Sequence, residues 1–135
     1  MNNGIARAQP SRPAIEVETL SDEVRIVHLR GEHDLSTKTE LAVALAAASQ
    51  RPRVLVDLSD CTFIDSTVIA LLFAAHRQQV MRNQRFALIL PRGTNTVERI
   101  LTLSQVALII AVHETRGAAL ANIQVEHSRD EPAGG

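Results

Sequence analysis

The order of apolar and polar positions predicts a chain in which strands and helices alternate. Near the start, AIEVETL (14–20) and EVRIVHLRG (23–31) carry apolar residues at every second position and meet at the polar stretch SDE, a pattern typical of a β-hairpin. The short β-branched run RVLVDL (53–58) is of the kind buried in a parallel sheet. We predict two further strands at RFALIL (85–90) and ALIIAV (107–112).

Helices are predicted in the segments between and after these strands. In STKTELAVALAAASQ (36–50), Ser36 or Thr37 can serve as N-cap, and Glu40 is placed for a capping box from Thr37. Three more helices are predicted, one directly after FID and two at TNTVERILTLSQ (94–105) and ETRGAALANIQVEH (114–127). The order ββαβαβαβα favours crossover units around a largely parallel sheet, so we predict an α/β fold.

The chain of 135 residues is long enough for one domain with one core. Residues 1–13 and 128–135 are polar and aperiodic and contain proline and glycine. We therefore predict one domain over 14–127, flanked by two mobile tails.

Composition excludes several classes of function. The chain has 14 basic and 15 acidic residues, no basic cluster, and neither Trp nor Tyr, so the features of a nucleic-acid binder are missing. Its single lysine, Lys38, does not follow a glycine-rich loop, which excludes a P-loop enzyme. The first 13 residues lack an apolar signal core, and the longest apolar runs are shorter than the ~18–20 residues that span a bilayer. We predict a cytoplasmic protein without direct membrane insertion.

Candidate chemical sites are few. The five histidines show no spacing suited to zinc, and no serine lies in a Gly-x-Ser-x-Gly motif, so we predict no metal, no cofactor and no hydrolase activity. The single cysteine, Cys61, cannot form an internal disulfide and is predicted to be an inert loop or core thiol.

One break in the apolar pattern suggests a site. In FIDSTVIALLF (63–73), the residues Asp65, Ser66 and Thr67 separate a strand from the start of a helix. Asp, Ser and Thr are preferred helix N-caps, which is the simplest interpretation. Because ligands gather at the carboxyl ends of strands in open α/β sheets, a functional hydroxyl is the alternative, and spacing alone leaves both open.

Three longer segments carry a resemblance to a known family. LRGEHDLSTKTELAVAL (29–45), VLVDLSDCTFIDSTVIALLFAAHRQ (54–78) and ALILPRGTNTVERILTLSQVALIIAV (87–112) resemble the STAS domain of anti-sigma factor antagonists. The resemblance covers nearly all of residues 15–127 and implies a STAS-type mixed, mostly parallel sheet with helices packed mainly on one side. The family's motifs are matched by Gly31 and Asp34, by Asp57, Leu58 and Ser59, and by Phe63, Asp65, Ser66 and Thr67.

The resemblance also implies a function. Such a domain is not an enzyme but binds an anti-sigma factor that is also a serine kinase, and it is switched off when that kinase phosphorylates it; a phosphatase can reset the switch. The position matched to the phosphoacceptor is Ser66, with Thr67 as second choice. We predict that the partner-binding residues are Asp34, Asp65, Thr67, Val68, Ile69, Leu71 and Leu72.

Two interpretations remain open for the helix after Ser66. Its apolar residues occur on more than one face, which fits either a partner-docking surface or a helix covered by the sheet and neighbouring helices. The family motif continues with glycine where this chain has Val68, so a branched side chain is expected beside the acceptor hydroxyl. The alternative function is therefore a non-phosphorylated STAS docking subunit of an ABC-type lipid transporter ATPase, with small-molecule sensing as a third.

Overall fold

The structure, a computed structural model, describes residues 13–93 and 95–133, without the side chains of residues 95 and 125–133. Within this range the chain forms five strands and four helices in the predicted order ββαβαβαβα. They are β1 (Ala14–Thr19), β2 (Val24–His33), α1 (Lys38–Ala48), β3 (Arg53–Ile64), α2 (Ser66–Met81), β4 (Arg85–Ile89), α3 (Asn95–Leu103), β5 (Ala111–His113) and α4 (Arg116–Ala133). Two short 3-10 turns span Leu35–Thr37 and Val106–Leu108.

The strands form one sheet in the order β1-β2-β3-β4-β5. β1 is antiparallel to β2, and the other neighbours are parallel. Helices α1, α2 and α3 contribute to the apolar cluster on one face, whereas α4 packs on the other face against a smaller cluster. The predicted mixed, mostly parallel sheet with helices mainly on one side is confirmed.

The longest pairing in the sheet is between β2 and β3. The prediction ended β3 at residue 58, but the strand continues to Ile64. Two register shifts interrupt the pairing, one between His28 and Arg30 and one between Gly31 and Glu32. Gly31 lies at the second shift with φ of 79°, a backbone conformation that a residue with a Cβ rarely adopts. The glycine therefore lets β2 bend while it stays paired with β3.

A polar network joins three strands to α4 on the sheet face that α4 covers. Asp57 accepts a hydrogen bond from the amide of Ser59 (2.9 Å), and its other oxygen lies 3.3 Å from Nδ1 of His28. The Nε2 atom of His28 lies 2.7 Å from Glu18, which also accepts a 2.8 Å hydrogen bond from Arg116. Hydrogen bonds from His28 and Arg116 lower the pKa of Glu18. The network fixes the register shift in β3 and ties α4 to β1.

The predicted capping box at the start of α1 is wrong. Thr37 is the residue before α1, but its hydroxyl makes no capping bond to the helix. That hydroxyl instead lies 3.3 Å from the carbonyl oxygen of Asp34 and 3.1 Å from Nδ1 of His33. Because Thr37 is buried against His33, its oxygen is not available to the first amides of α1.

The last strand is shorter than the pattern predicted. Residues 107–112 were predicted as β5, but the strand covers only Ala111–His113, and Val106–Leu108 form a 3-10 turn. Val106 and Ile110 are buried while Leu108 is exposed, so this apolar run does not alternate as a strand in the sheet would.

The predicted tails lie mostly outside the described residues. Residues 1–12 and 134–135 are not described, and the backbone of α4 continues as a helix to Ala133, past the predicted end of the domain at 127. The division into a domain of 14–127 and two mobile tails remains a prediction.

One buried amide holds the end of α2 in place. Gln79 is fully buried, and its Nε2 lies within hydrogen-bonding distance of the carbonyl oxygens of Arg51 (3.2 Å), Pro52 (3.4 Å) and Arg85 (3.2 Å). These carbonyls belong to the segments that lead into β3 and β4. The two hydrogens of this amide therefore link backbone carbonyls at the starts of β3 and β4; the Pro52 carbonyl also accepts a 2.9 Å hydrogen bond from the amide of Arg85.

We expect Gln79→Ala to lower the free energy of unfolding by about 1–3 kcal/mol, because buried carbonyl groups lose their donor. The neighbouring Gln78 is exposed, so Gln78→Ala should change stability by no more than about 0.5 kcal/mol. Urea denaturation of both variants measures the difference. Equal stability of the two variants would contradict the role given to the buried amide.

The thiol of Cys61 is buried in β3, and burial raises its pKa to about 11. The thiol is therefore protonated at neutral pH and unreactive. We expect iodoacetamide to alkylate the folded protein at pH 8 about a hundredfold more slowly than the chain in guanidinium chloride. Mass spectrometry of quenched samples measures both rates, and similar rates in the two states would show that Cys61 is accessible.

Candidate functional site

The candidate site lies at the carboxyl ends of β2 and β3. His33 pairs with Ile64 in the parallel ladder, so Asp34 and Asp65, the next residue of each chain segment, leave the sheet side by side. The pairing of β3 with β4 ends at Asp57, so this edge projects beyond β4. The structure thus brings together the two aspartates that the sequence predicted to border one site.

Asp65 is the N-cap of α2. Its backbone is extended (φ −112°, ψ −174°), and its carboxylate accepts a 3.1 Å hydrogen bond from the amide of Val68. Ser66 is the first helical residue and its side chain is exposed, whereas Thr67 is half-buried. In the described part of the chain, no side chain or backbone group hydrogen-bonds to the Ser66 hydroxyl. Capping is thus done by the carboxylate, and the Ser66 hydroxyl faces solvent.

Asp34 organises the second half of the site. Its Oδ1 accepts hydrogen bonds from the amide (2.9 Å) and the hydroxyl (2.6 Å) of Ser36. These two hydrogen bonds lower the pKa of Asp34, so its carboxylate is charged at neutral pH and protonates only below the usual range for aspartate. The site therefore carries a fixed negative charge beside Asp65.

His33 supports the site from inside the protein. The ring is fully buried, with Nε2 2.9 Å from the carbonyl oxygen of Arg30 and Nδ1 3.1 Å from the hydroxyl of Thr37. It holds the turn that contains Asp34 against the end of β2. Sequence reasoning considered His33 only as a metal ligand; the alternation of β2, which turns residues 27, 29 and 33 inward, is the signal that could have identified it.

Three of the predicted partner-binding residues lie in the core. Val68 is fully buried, Leu72 is 1% exposed and Ile69 is 9% exposed, so these side chains cannot contact a partner while the domain is folded. The prediction is corrected for these three because α2 must bury one face against the sheet. Leu71 is half-buried and packs against the core cluster, with part of its side chain still accessible.

The replacement of the family glycine by Val68 has a different effect from the one predicted. The branched side chain was expected beside the acceptor hydroxyl, but it points into the core and leaves Ser66 uncovered. Ala70, the next exposed residue along α2, is small. Access to Ser66 is therefore not blocked at position 68.

Two exposed apolar side chains beside the site were not among the predicted partner-binding residues. Leu35 is 66% exposed and lies between Asp34 and Ser36. Phe63 is also exposed and pairs across the ladder with Glu32. Phe63 belongs to one matched motif and Leu35 directly follows another, so their apolar character at these positions is the signal that could have identified them. They place accessible apolar area next to the charged edge.

The site has the features of a recognition surface. Among the residues that the structure describes, no three His, Cys, Asp or Glu side chains are grouped so as to hold a metal ion. In the same part of the chain, no helix is both long enough and apolar enough to cross a bilayer. The site consists of an open hydroxyl, two carboxylates that cap the following turns, and exposed apolar side chains on either side.

Comparison with known proteins identifies the family. Residues 17–112 match the family model described as "Mlab, STAS domain". The structure of an anti-sigma factor antagonist from Mycobacterium paratuberculosis has 23% sequence identity and a TM-score of 0.73, over 85% of this chain and 97% of that one. The Bacillus cell fate determinant SpoIIAA, in its phosphorylated form, has 17% identity and a TM-score of 0.62, over 82% and 99%.

A third similar structure is an anti-sigma factor antagonist (STAS) domain protein from Planctomyces limnophilus, with 21% identity and a TM-score of 0.66, over 81% of this chain and 96% of that one. No curated protein sequence matches the chain significantly. At these identities the structural matches establish a shared fold, and the family model covers most of the sheet and the candidate site. The chain therefore belongs to the STAS domain family, as its motifs predicted.

Proposed function

We propose that the protein is an anti-sigma factor antagonist that binds an anti-sigma factor with serine kinase activity and is switched off by phosphorylation of Ser66. The observation that carries this proposal is the solvent-facing hydroxyl of Ser66 at the first position of α2, on the edge that also bears Asp34 and Asp65. The solved structures with this fold include named anti-sigma factor antagonists, one of them in a phosphorylated form. In this role the chain is a substrate and binding partner in the cytoplasm, not an enzyme.

Exposure favours Ser66 over Thr67 as the phosphoacceptor. A kinase must bring the γ-phosphate in line with the attacking oxygen, which requires an accessible hydroxyl. Ser66 is exposed, whereas Thr67 is half-buried. Thr67 remains the second choice.

The helix can accept a phosphate at this position without loss of the fold. The first backbone amides of a helix have no hydrogen-bond partner within the helix. In α2, the amide of Val68 donates instead to the carboxylate of Asp65. The N-terminal end of the helix dipole also favours a negative group, which phosphorylation would supply as about −1.5 to −2 charges. A phosphate on Ser66 would therefore stabilise the start of α2 locally.

The same phosphate would weaken partner binding. It would lie on an edge that already carries the carboxylates of Asp34 and Asp65, so a partner surface complementary to the unmodified edge would meet excess negative charge. Juxtaposed like charges at an interface cost several kcal/mol, and about 3 kcal/mol corresponds to more than a hundredfold in affinity. The partner would dissociate while the domain stays folded, and a phosphatase would restore binding.

The proposed contact surface differs from the one that the sequence predicted. It contains the accessible residues at the edge and along the start of α2, and Val68, Ile69 and Leu72 support it from the core. The accessible set consists of Asp34, Leu35, Phe63, Asp65, Ser66, Thr67 and Leu71.

The intact mass of the protein isolated from its own cells tests the phosphate switch. We expect a species heavier by one phosphate in the wild type and in Thr67→Ala, but not in Ser66→Ala. Loss of the species only in Thr67→Ala would move the acceptor to Thr67. Unmodified protein that co-purifies with an ATPase under several growth conditions would instead support the docking subunit of an ABC-type lipid transporter.

The electrostatic part of the proposal predicts opposite effects of one charge at the two ends of α2. At neutral pH and low salt, Ser66→Glu should be more stable than Ser66→Gln by about 0.3–1 kcal/mol. Gln78→Glu places the same charge in the last turn of α2, so this variant should be less stable than wild type by a similar amount. Urea denaturation measures both differences. A Ser66→Glu variant that is less stable than Ser66→Gln would show that this site does not accommodate an anion.

A further inference from the structure

A second surface feature lies at the opposite end of α2 from Ser66. An apolar groove of about 320 Å³ is formed by the last turns of α2 and the segment before β5, and it is lined by Phe73, His76, Arg77, Val80, Met81 and Ile109. Three of the apolar lining residues are largely exposed: Met81 is 74%, Ile109 59% and Val80 54% exposed. Exposed apolar side chains that line one concave surface make it a candidate docking site.

The groove carries a single positive charge. Burial lowers the pKa of His76, whose ring packs edge-on against Phe86 at 6.0 Å, so this histidine is neutral at pH 7. Arg77 is exposed, and no ion pair or hydrogen bond to its guanidinium occurs within the described part of the chain. An arginine that has no anionic partner among the described residues therefore borders an apolar depression.

Carboxylates are scarce in the part of the sequence that forms the groove. Residues 66–113 contain five arginines but only one carboxylate, Glu98, although the whole chain has a net charge of −1. The Glu98 carboxylate accepts a 2.9 Å hydrogen bond from the amide of Gly93, at the start of α3. Arg92 pairs with Glu114 (2.8 Å), just beyond this stretch, so the positive charge of the groove itself comes from Arg77, in contrast to the acidic edge beside Ser66.

We propose that this groove binds an amphipathic helix of a partner protein, with apolar residues seated between α2 and the segment before β5 and an acidic residue paired with Arg77. A concave apolar site accepts side chains projecting at i, i+3 and i+4 from one helix face. A flat bilayer surface would not fill such a depression, and a second copy of the groove would place Arg77 near Arg77. The occupant is therefore an acidic helix.

This docking site is separate from the phosphate switch. The first turn of α2 carries Ser66, whereas the groove begins at Phe73 and extends past the end of the helix to Ile109. Binding in the groove does not require modification of Ser66, so either proposal can fail without the other.

Site-specific photo-crosslinking in the protein's own cells tests the groove. Met81→benzoylphenylalanine places the crosslinker in the groove, and Val43→benzoylphenylalanine places it at a similarly exposed apolar position on α1 (66% exposed). We expect Met81, but not Val43, to crosslink to a peptide of another protein with apolar residues at helical spacing and an acidic residue among them. Arg77→Glu should reduce the yield of the crosslink about tenfold, whereas Arg77→Lys should retain it. Replacing the partner's acidic residue by a basic one should restore the yield in the Arg77→Glu variant.

Several results would overturn the proposal. Crosslinks from Met81 to lipid or to a second copy of this chain would identify a different occupant. The groove would not be a docking site if Val43 crosslinked as strongly as Met81 or if Met81 gave no crosslink. A yield that does not change in Arg77→Glu would show that docking is not charge-selective. Circular dichroism of each variant verifies that it remains folded.

Discussion

The parallel pairing of β2 with β3 is the constraint on which the site depends. Because both strands run in the same direction, their carboxyl ends meet at one edge, and the pairing of His33 with Ile64 fixes which residues emerge there together. The pairing also contains two register shifts, and Gly31 adopts a positive φ at one of them. A one-residue slip would turn Asp34 and Asp65 away from each other and expose Ile64.

Helix α2 must serve the core and the surface at once. Its buried face, with Val68, Ile69 and Leu72, packs on the sheet, and the buried amide of Gln79 fixes its far end. These contacts hold the helix start rigid relative to the strands. The surface residues can therefore act as a preformed recognition site, because little ordering free energy is needed when a partner binds.

Sequence patterns predicted the fold well and the site in part. Alternating and helical periodicities identified all nine elements, and motif matches placed Asp34, Asp65 and Ser66 at one edge. Burial was the main source of error. Helix α2 is apolar on several sides, so periodicity could not show which of these residues face the sheet, and three were assigned to the surface. Thr37 was misassigned as a side-chain cap because its contact with the buried ring of His33 depends on tertiary packing.

The distribution of charge along α2 can serve binding without a cost to the fold. The carboxylate of Asp65 caps the N-terminal end, where the helix dipole favours negative charge, whereas Arg77 lies before the last turn, beyond the reach of the dipole at the C-terminal end. The charge of Asp65 therefore stabilises the helix slightly and that of Arg77 neither stabilises nor destabilises its end, so selection for stability opposes neither charge. A partner would therefore meet negative charge at the edge beside Ser66 and positive charge at the groove, so the two sites favour partners of opposite charge. A phosphate on Ser66 would change the charge at the N-terminal end alone and would leave the apolar groove at the other end unaltered.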